Sequence, residues 1–218
     1  MSTLCLQARR AASATAVAVT ATLVLAACGG NGNNGGSADT STSAIPSGST
    51  SVPAGPHNQA DITFAQGMIP HHRQAIVMSD MVQAHSSSGE VKALAERIKK
   101  AQAPEIETMT AWLRAWGEPV PPGMSGMGHG SPTGMPGMMN DQQMDGLRGM
   151  RGTAFDKMFL TMMIEHHEGA IEMANAEKRQ GAYAPAKELA DSIVTSQTAE
   201  IAQMRKMLGT GSPSPTAS

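Results

Sequence analysis

The stretch FAQGMIPHHRQAIVMSDM, residues 64–81, returns 95 positions later as FLTMMIEHHEGAIEMA, residues 159–174. The register runs on without a gap through Lys92, Leu94, Ala95, Ile98, Gln102, Glu105, Ile106, Met109 and Leu113. These meet Lys187, Leu189, Ala190, Ile193, Gln197, Glu200, Ile201, Met204 and Leu208. Residues 61–114 and 156–209 share 18 identities in 54 aligned positions, too many at one offset for chance, so the chain holds a duplicated unit. Within a unit, Phe64, Met68, His71, Ala75, Met78 and Val82 recur at spacings of three and four, which predicts one face of a helix. Val91, Leu94, Ile98, Ala101, Met109 and Leu113 predict a second helix, ending near Gly117. Asn58 with Asp61 predicts a first-turn cap, Ser87 with Glu90 a capping box, and Thr153 a cap for the second unit. Pro185 suits a first helical turn, Gly209 an end, and Asn140 to Leu147 a short extra helix. Pro70 should kink its helix or remove a hydrogen bond. Two αα-hairpins, each with one apolar stripe, bury those stripes by packing together, so an all-α four-helix bundle is expected. Its parts are repeat one (61–114), a Met-rich connector (118–152) and repeat two (156–209).

Upstream of the repeats, Arg9 and Arg10 precede an uncharged run from Ala11 that closes on Leu25-Ala26-Ala27-Cys28. A positive flank, a short apolar run and small residues before a cut site describe a secretory signal over residues 1–27. The small residues directly before a cysteine resemble a bacterial lipobox, which implies cleavage before Cys28 and lipid attachment to its sulfur. A transmembrane helix is the competing reading, but the run is at the lower length limit and rich in Ala and Thr. Residues 28–57, mostly Gly, Asn, Ser, Thr, Ala and Pro, read as a flexible tether, and 210–218 as a disordered tail. The expected location is extracytoplasmic, with the bilayer reached through Cys28. Aromatic content is 3% and net charge is −2, which gives nucleic acid neither stacking platforms nor a basic surface. Cys5 and Cys28 are the two cysteines, so the repeat domain has no thiol for a disulfide, a zinc–thiolate site or cysteine catalysis.

The paired histidines are the most specific chemical feature. On a helical wheel the apolar stripe passes between His71 and His72, and between His166 and His167, so both pairs face inward or edge the stripe. Met68 lies three and four residues from its pair, and Met163 likewise. Imidazole with thioether is a soft, neutral ligand set suited to Cu(I), with Ag(I) as the second candidate. The competing reading makes the four rings hydrogen-bonded core or boundary residues. Glu105 and Glu200 either orient imidazoles or form surface salt bridges. Glu165, Glu168 and Glu172 fall on the solvent side of the wheel. No Glu-x-x-His pair for a di-iron site occurs, and His167-Glu168 has Ile171 where a zincin needs its second histidine. Neither a nucleophile elbow, a P-loop nor a dinucleotide fingerprint is present, so no enzymatic activity and no organic cofactor are expected.

Methionine is abundant at 18 residues. Met124, Met127, Met135, Met138, Met139, Met144 and Met150, with His129, crowd the Gly/Pro-rich connector. Thioethers exposed on a mobile loop have no packing role, so this segment reads as a second soft-metal scavenging element, with low-complexity filler as its rival. Because thioethers do not titrate, it is expected to hold Cu(I) at acidic pH, where imidazoles protonate.

The doubled M-I-x-H-H-x-x-A-I-x-M pattern resembles the bacterial family catalogued as domain of unknown function 305, over roughly residues 57–209. The resemblance implies a ferritin-like helical bundle, exported, with some members tied to copper binding and resistance. Carried over residue by residue, it implicates Met68, His71, His72 and Met78, and Met163, His166, His167 and Met173. The expected function is soft-metal buffering, resistance or transfer to an envelope metal-handling protein. The alternative is a metal-free helical module that docks an envelope partner through adaptable methionines.

Overall fold

The computed structural model describes residues 55–123 and 135–210. Four long helices, α1 (Gln59–His85), α2 (Gly89–Trp116), α4 (Gly152–Gln180) and α5 (Ala184–Thr210), are joined by a short α3 (Asp141–Gly149). The described residues contain no strand. α1 packs on α2, α4 on α5, and the two hairpins meet mainly through α1 and α4.

Local chemistry sets the helix ends. Asn58 accepts from Ala60 N and Asp61 N while Asp61 accepts from Asn58 N at 2.6 Å, the reciprocal cap expected for α1. The cap of α2 is Ser88 rather than Ser87, because Ser87 Oγ instead donates to Asp156 on α4 at 2.9 Å. Nor does Thr153 cap α4: the N-cap is Arg151, with no side-chain bond, and Thr153 lies inside the helix. Gly117 closes α2 at φ 76°, where the Glu118 amide returns to the Leu113 carbonyl at 2.8 Å. α1 continues as helix through Pro70, and α5 runs one residue past Gly209.

Two apolar clusters form the core. One takes the C-terminal half of α1, the start of α2, the N-terminal half of α4 and the end of α5, including Val82, Leu94, Phe159 and Met204. The other takes the opposite halves, including Phe64, Leu113, Ala174 and Ile193. This exchange makes α1 and α4 antiparallel, and places residues 71–72 and 166–167 where the clusters meet.

The repeat also braces itself across the hairpins. Asp61 on α1 accepts from Ala182 N and Tyr183 N in the α4–α5 turn. Its counterpart Asp156 on α4 accepts from Ser87 in the α1–α2 turn, and Ser87 is the repeat partner of Ala182. Each first helix therefore grips the other hairpin's turn.

Candidate metal centre

Between the clusters lies a polar layer. His71, His72, His166 and His167 are each 0% exposed, and the rings of His71 and His166 are 3.8 Å apart, tilted by 41°. The helix repeat explains the placement: α1 and α4 cross antiparallel at their midpoints, and equivalent positions meet there. Gln102 and Gln197, a further repeat pair, are buried on α2 and α5, three residues from Glu105 and Glu200. The repetition of a polar residue on an apolar stripe was a signal for these two, although nothing in their type suggested a ligand.

Each glutamate fastens one ring. His72 Nε2 donates to Glu105 Oε2 at 2.6 Å, and His167 Nε2 to Glu200 Oε2 at 2.7 Å. His71 Nε2 donates to the Pro136 carbonyl at 3.1 Å. Carboxylate and carbonyl oxygens only accept, so these contacts put the proton on Nε2 and leave the lone pair of the neutral ring on Nδ1. The Nδ1 atoms of His71, His72 and His167 are buried without a partner, as are both nitrogens of His166. Burial, with the nearby charge of His72, lowers the His71 pKa to about 3. Burial and the other three histidines likewise push His166 well below the ordinary imidazole range. Both shifts favour the neutral ring, the form that offers a lone pair.

Sulfur flanks the layer on both sides. Met68 is fully buried in one cluster with Met173 packed against it, and Met78 and Met163 are fully buried in the other. Each side thus draws one methionine from α1 and one from α4. Among the described residues, no three His, Cys, Asp or Glu side chains already make a coordination set. The donor set on offer is imidazole nitrogen with thioether sulfur, which suits the low coordination numbers of soft monovalent ions rather than carboxylate-seeking cations. Glu165, Glu168 and Glu172 are exposed, as the wheel predicts, and Glu168 pairs with Arg205 at 2.7 Å.

The connector departs from expectation. Met139 and Met144 are core residues, 3% and 5% exposed, not free thioethers. Met135 and Met138 are half-buried, and Met150 is exposed. Residues 135–140 form a strap over the layer, because Gln74 donates to the Met139 carbonyl and accepts from its amide, both at 2.8 Å. The repeat partner of Gln74 is Gly169, against which the strap lies so closely that a Cβ would meet the Pro136 carbonyl oxygen at 2.1 Å. One copy holds the strap with an amide and the other makes room for it. Met124, Met127, His129 and Cys28 lie outside the described residues.

A second buried polar pair lies near the end of the same helices. Glu177, 1% exposed, has no other donor and faces Asp61 beside Gly181. Burial, then the hydrogen bond and charge of Asp61, push Glu177 up to about 8, against a smaller pull from Lys187. Burial alone would raise Asp61, but the bonds from Glu177, Asn58, Tyr183 and Ala182 hold it below its usual value. Both directions favour a proton on Glu177, held toward an ionised Asp61.

The chain belongs to the DUF305 family, whose model, described as a domain of unknown function, matches residues 61–208. A DUF305 protein of Streptomyces coelicolor described as secreted is 37% identical, with TM-score 0.61, over 69% of this chain and 92% of that one. A DUF305 fragment of Deinococcus radiodurans is 30% identical, with TM-score 0.63, over 71% and 99%. CopM in its Cu(II)-bound form is 35% identical, with TM-score 0.58, over 69% and 96%, and CopM has also been solved with Cu(I) and with silver. Among the curated proteins none matches. No helix among the described residues is long and apolar enough to cross a membrane.

Proposed function

We propose that this DUF305 chain is an extracytoplasmic lipoprotein that binds Cu(I), and Ag(I) in its place, within the histidine layer. Its role is to buffer the ion, confer resistance or hand it to an envelope partner. The observation that carries the reading is the set of five buried imidazole nitrogens without a partner. A buried, unsatisfied polar atom costs about 1–3 kcal/mol, so rings kept only for packing would give way to apolar side chains. One nitrogen of neutral His166 holds the ring proton, so four of the five offer lone pairs, and a soft cation answers those. The Glu105 and Glu200 carboxylates supply countercharge and hold His72 and His167 in the tautomer that presents Nδ1. Met68, Met78, Met163 and Met173 complete the soft surroundings. The copper and silver forms of CopM, a neighbour of this fold, support the choice of ion. The Leu25-Ala26-Ala27-Cys28 run supports the anchor.

The test is a Cu(I) titration against a competing chelator, run on the protein and on a variant with His71, His72, His166 and His167 all replaced by leucine. Circular dichroism checks that the variant is helical. The protein is expected to outcompete the chelator and the variant to fail; equal affinity in the two removes the layer as the site. A metal-dependent oxidase would instead consume oxygen with a reductant after copper loading, and no such turnover is expected.

A further inference from the structure

The histidines have no exposure, so an ion arriving from solvent or from a carrier needs an outer ligand from which to be passed inward. A groove of about 470 Å³ opens beside α1 and α4, and Phe64, Gly67, Met135, Pro136 and Met173 are among the residues that line it. Met135, on the strap, and Met173, on α4, are both half-buried and so reach the groove from outside the sealed core. Their sulfurs lie each 3.6 Å from the point where a Cβ on Gly67 would stand, which puts the two thioethers at most 7.2 Å apart over bare backbone. The next residue after Met135 is Pro136, whose carbonyl accepts from His71 Nε2. Met135 is therefore one residue along the chain from the carbonyl that holds His71.

We propose that Met135 and Met173 form a two-thioether port over Gly67, which takes a soft monovalent ion at the groove mouth and passes it to His71 and His166. The inference rests on the soft-metal reading of the histidine layer and adds the route by which that layer fills. Ligand type fits the task. Thioethers are neutral, do not titrate and bind Cu(I) and Ag(I) while discriminating against hard cations. Two of them hold an ion less firmly than a site that adds imidazole nitrogen, so transfer runs inward. Passage asks for a local change only: the His71 bond to Pro136 breaks, and the strap shifts at its Met135 end while Gln74 keeps hold of Met139. The sequence conceals this pairing, because Met135 belongs to neither repeat, and Gly67 aligns with Met162.

The experiment uses Ag(I), which does not change oxidation state, added to the full-length protein carrying [ε-13C]methionine and 15N-histidine. Met135→Leu and Met173→Leu single variants assign the two methyl signals. Met-to-Leu replacement nearly conserves volume, so the double variant should fold, and thermal unfolding checks it. The Met135 and Met173 methyls are expected to shift at the first additions. The double variant is expected to load its histidines at least tenfold more slowly in stopped-flow transfer from a silver–chelator complex, and Met135→Leu alone, which keeps all four core methionines, to slow loading while its final core affinity stays within about threefold of the parent. Unmoved port methyls, or an unchanged loading rate, overturn the port. The imidazole 15N signals report separately on the layer: if they move while the port methyls stay still, the port fails and the layer stands. If the methyls move and the imidazoles never do, the layer fails, and transfer from port to core fails with it.

Discussion

His166 is the residue whose chemistry is least explained by folding. Both of its ring nitrogens are buried without a partner. Replacing a buried unsatisfied group by an apolar one of similar shape removes a penalty, so His166→Leu is expected to leave the ion-free protein as stable as the parent, or more so. The same change should weaken Ag(I) binding at least tenfold by chelator competition. A large drop in melting temperature with unchanged affinity would mean that the ring serves packing. Glu105 differs, since its loss strands His72 Nε2. Glu105→Ala should cost about 1–3 kcal/mol in denaturant unfolding and lower ion affinity by about 10–100-fold. Two kinds of titrating residue set opposite pH slopes. His71 is held at about 3 in the fold against 6.5 as its ordinary value, so the unfolded chain binds the extra proton and stability rises with pH across that window. Glu177, at about 8 against 4.5, keeps a proton that the unfolded chain has released, so stability declines as pH climbs from 4.5 to 8. Melting temperatures measured from pH 3 to 9 should pass through a maximum and fall on the alkaline side. Glu177→Gln, whose amide can still donate to Asp61, should flatten that fall, and an unchanged alkaline slope would refute the proton on Glu177.

At the scale of elements, the strap and the braces decide how rigidly the layer is enclosed. Gly169→Ala places a methyl against the Pro136 backbone, which cannot swing aside as a flexible side chain would. Overpacking of this kind costs typically about 1–3 kcal/mol. The strap should lift, and amide hydrogen exchange at Met139, whose N–H donates to Gln74, should accelerate by tenfold or more. Unaltered protection would show that the strap is not seated where Gly169 permits it. The two braces are unequal: Asp61 accepts from the amides of Asn58, Ala182 and Tyr183, while Asp156 accepts from Ser87 Oγ. Helix existence was legible from the period of Phe64, Met68, His71, Ala75 and Met78, since an amphipathic stripe constrains a chain wherever it folds. Caps were legible only where the competition was local. Ser87 carries the right side chain for a cap, but Asp156, 69 residues away, takes its hydroxyl.

The whole molecule links the layer to stability. An ion that binds the fold and not the unfolded chain adds RT ln(1 + [L]/Kd), about 4 kcal/mol at a thousandfold excess over Kd. Ag(I) should therefore raise the melting temperature of the parent and leave that of the four-leucine variant where it was. An equal rise in both would place the binding elsewhere, with the connector methionines the next donors to examine. The division of the core into two apolar clusters also has meaning at this scale. A continuous core would bury more apolar surface, whereas this fold interrupts it at mid-height with four imidazoles and two glutamine side chains. That interruption is repeated in both halves of the chain, so duplication carries the polar layer along with the helices.

The sequence by itself determined the repeat, the helical hairpins and the place of the histidine pairs on either side of the apolar stripe, because periodicity and duplication are written in spacing alone. It also marked Glu105 and Glu200 as candidates to orient imidazoles, and their contacts with His72 and His167 follow the same 95-residue offset. Tertiary structure alone decided that the His71 and His166 rings meet, tilted against each other, that Met139 and Met144 are packed rather than free, and that Gln74 and Gly169 hold one strap from two sides. Each of these depends on how α1 crosses α4 and on what lies over the crossing. Such contacts join residues far apart in the chain, at distances that no local period encodes.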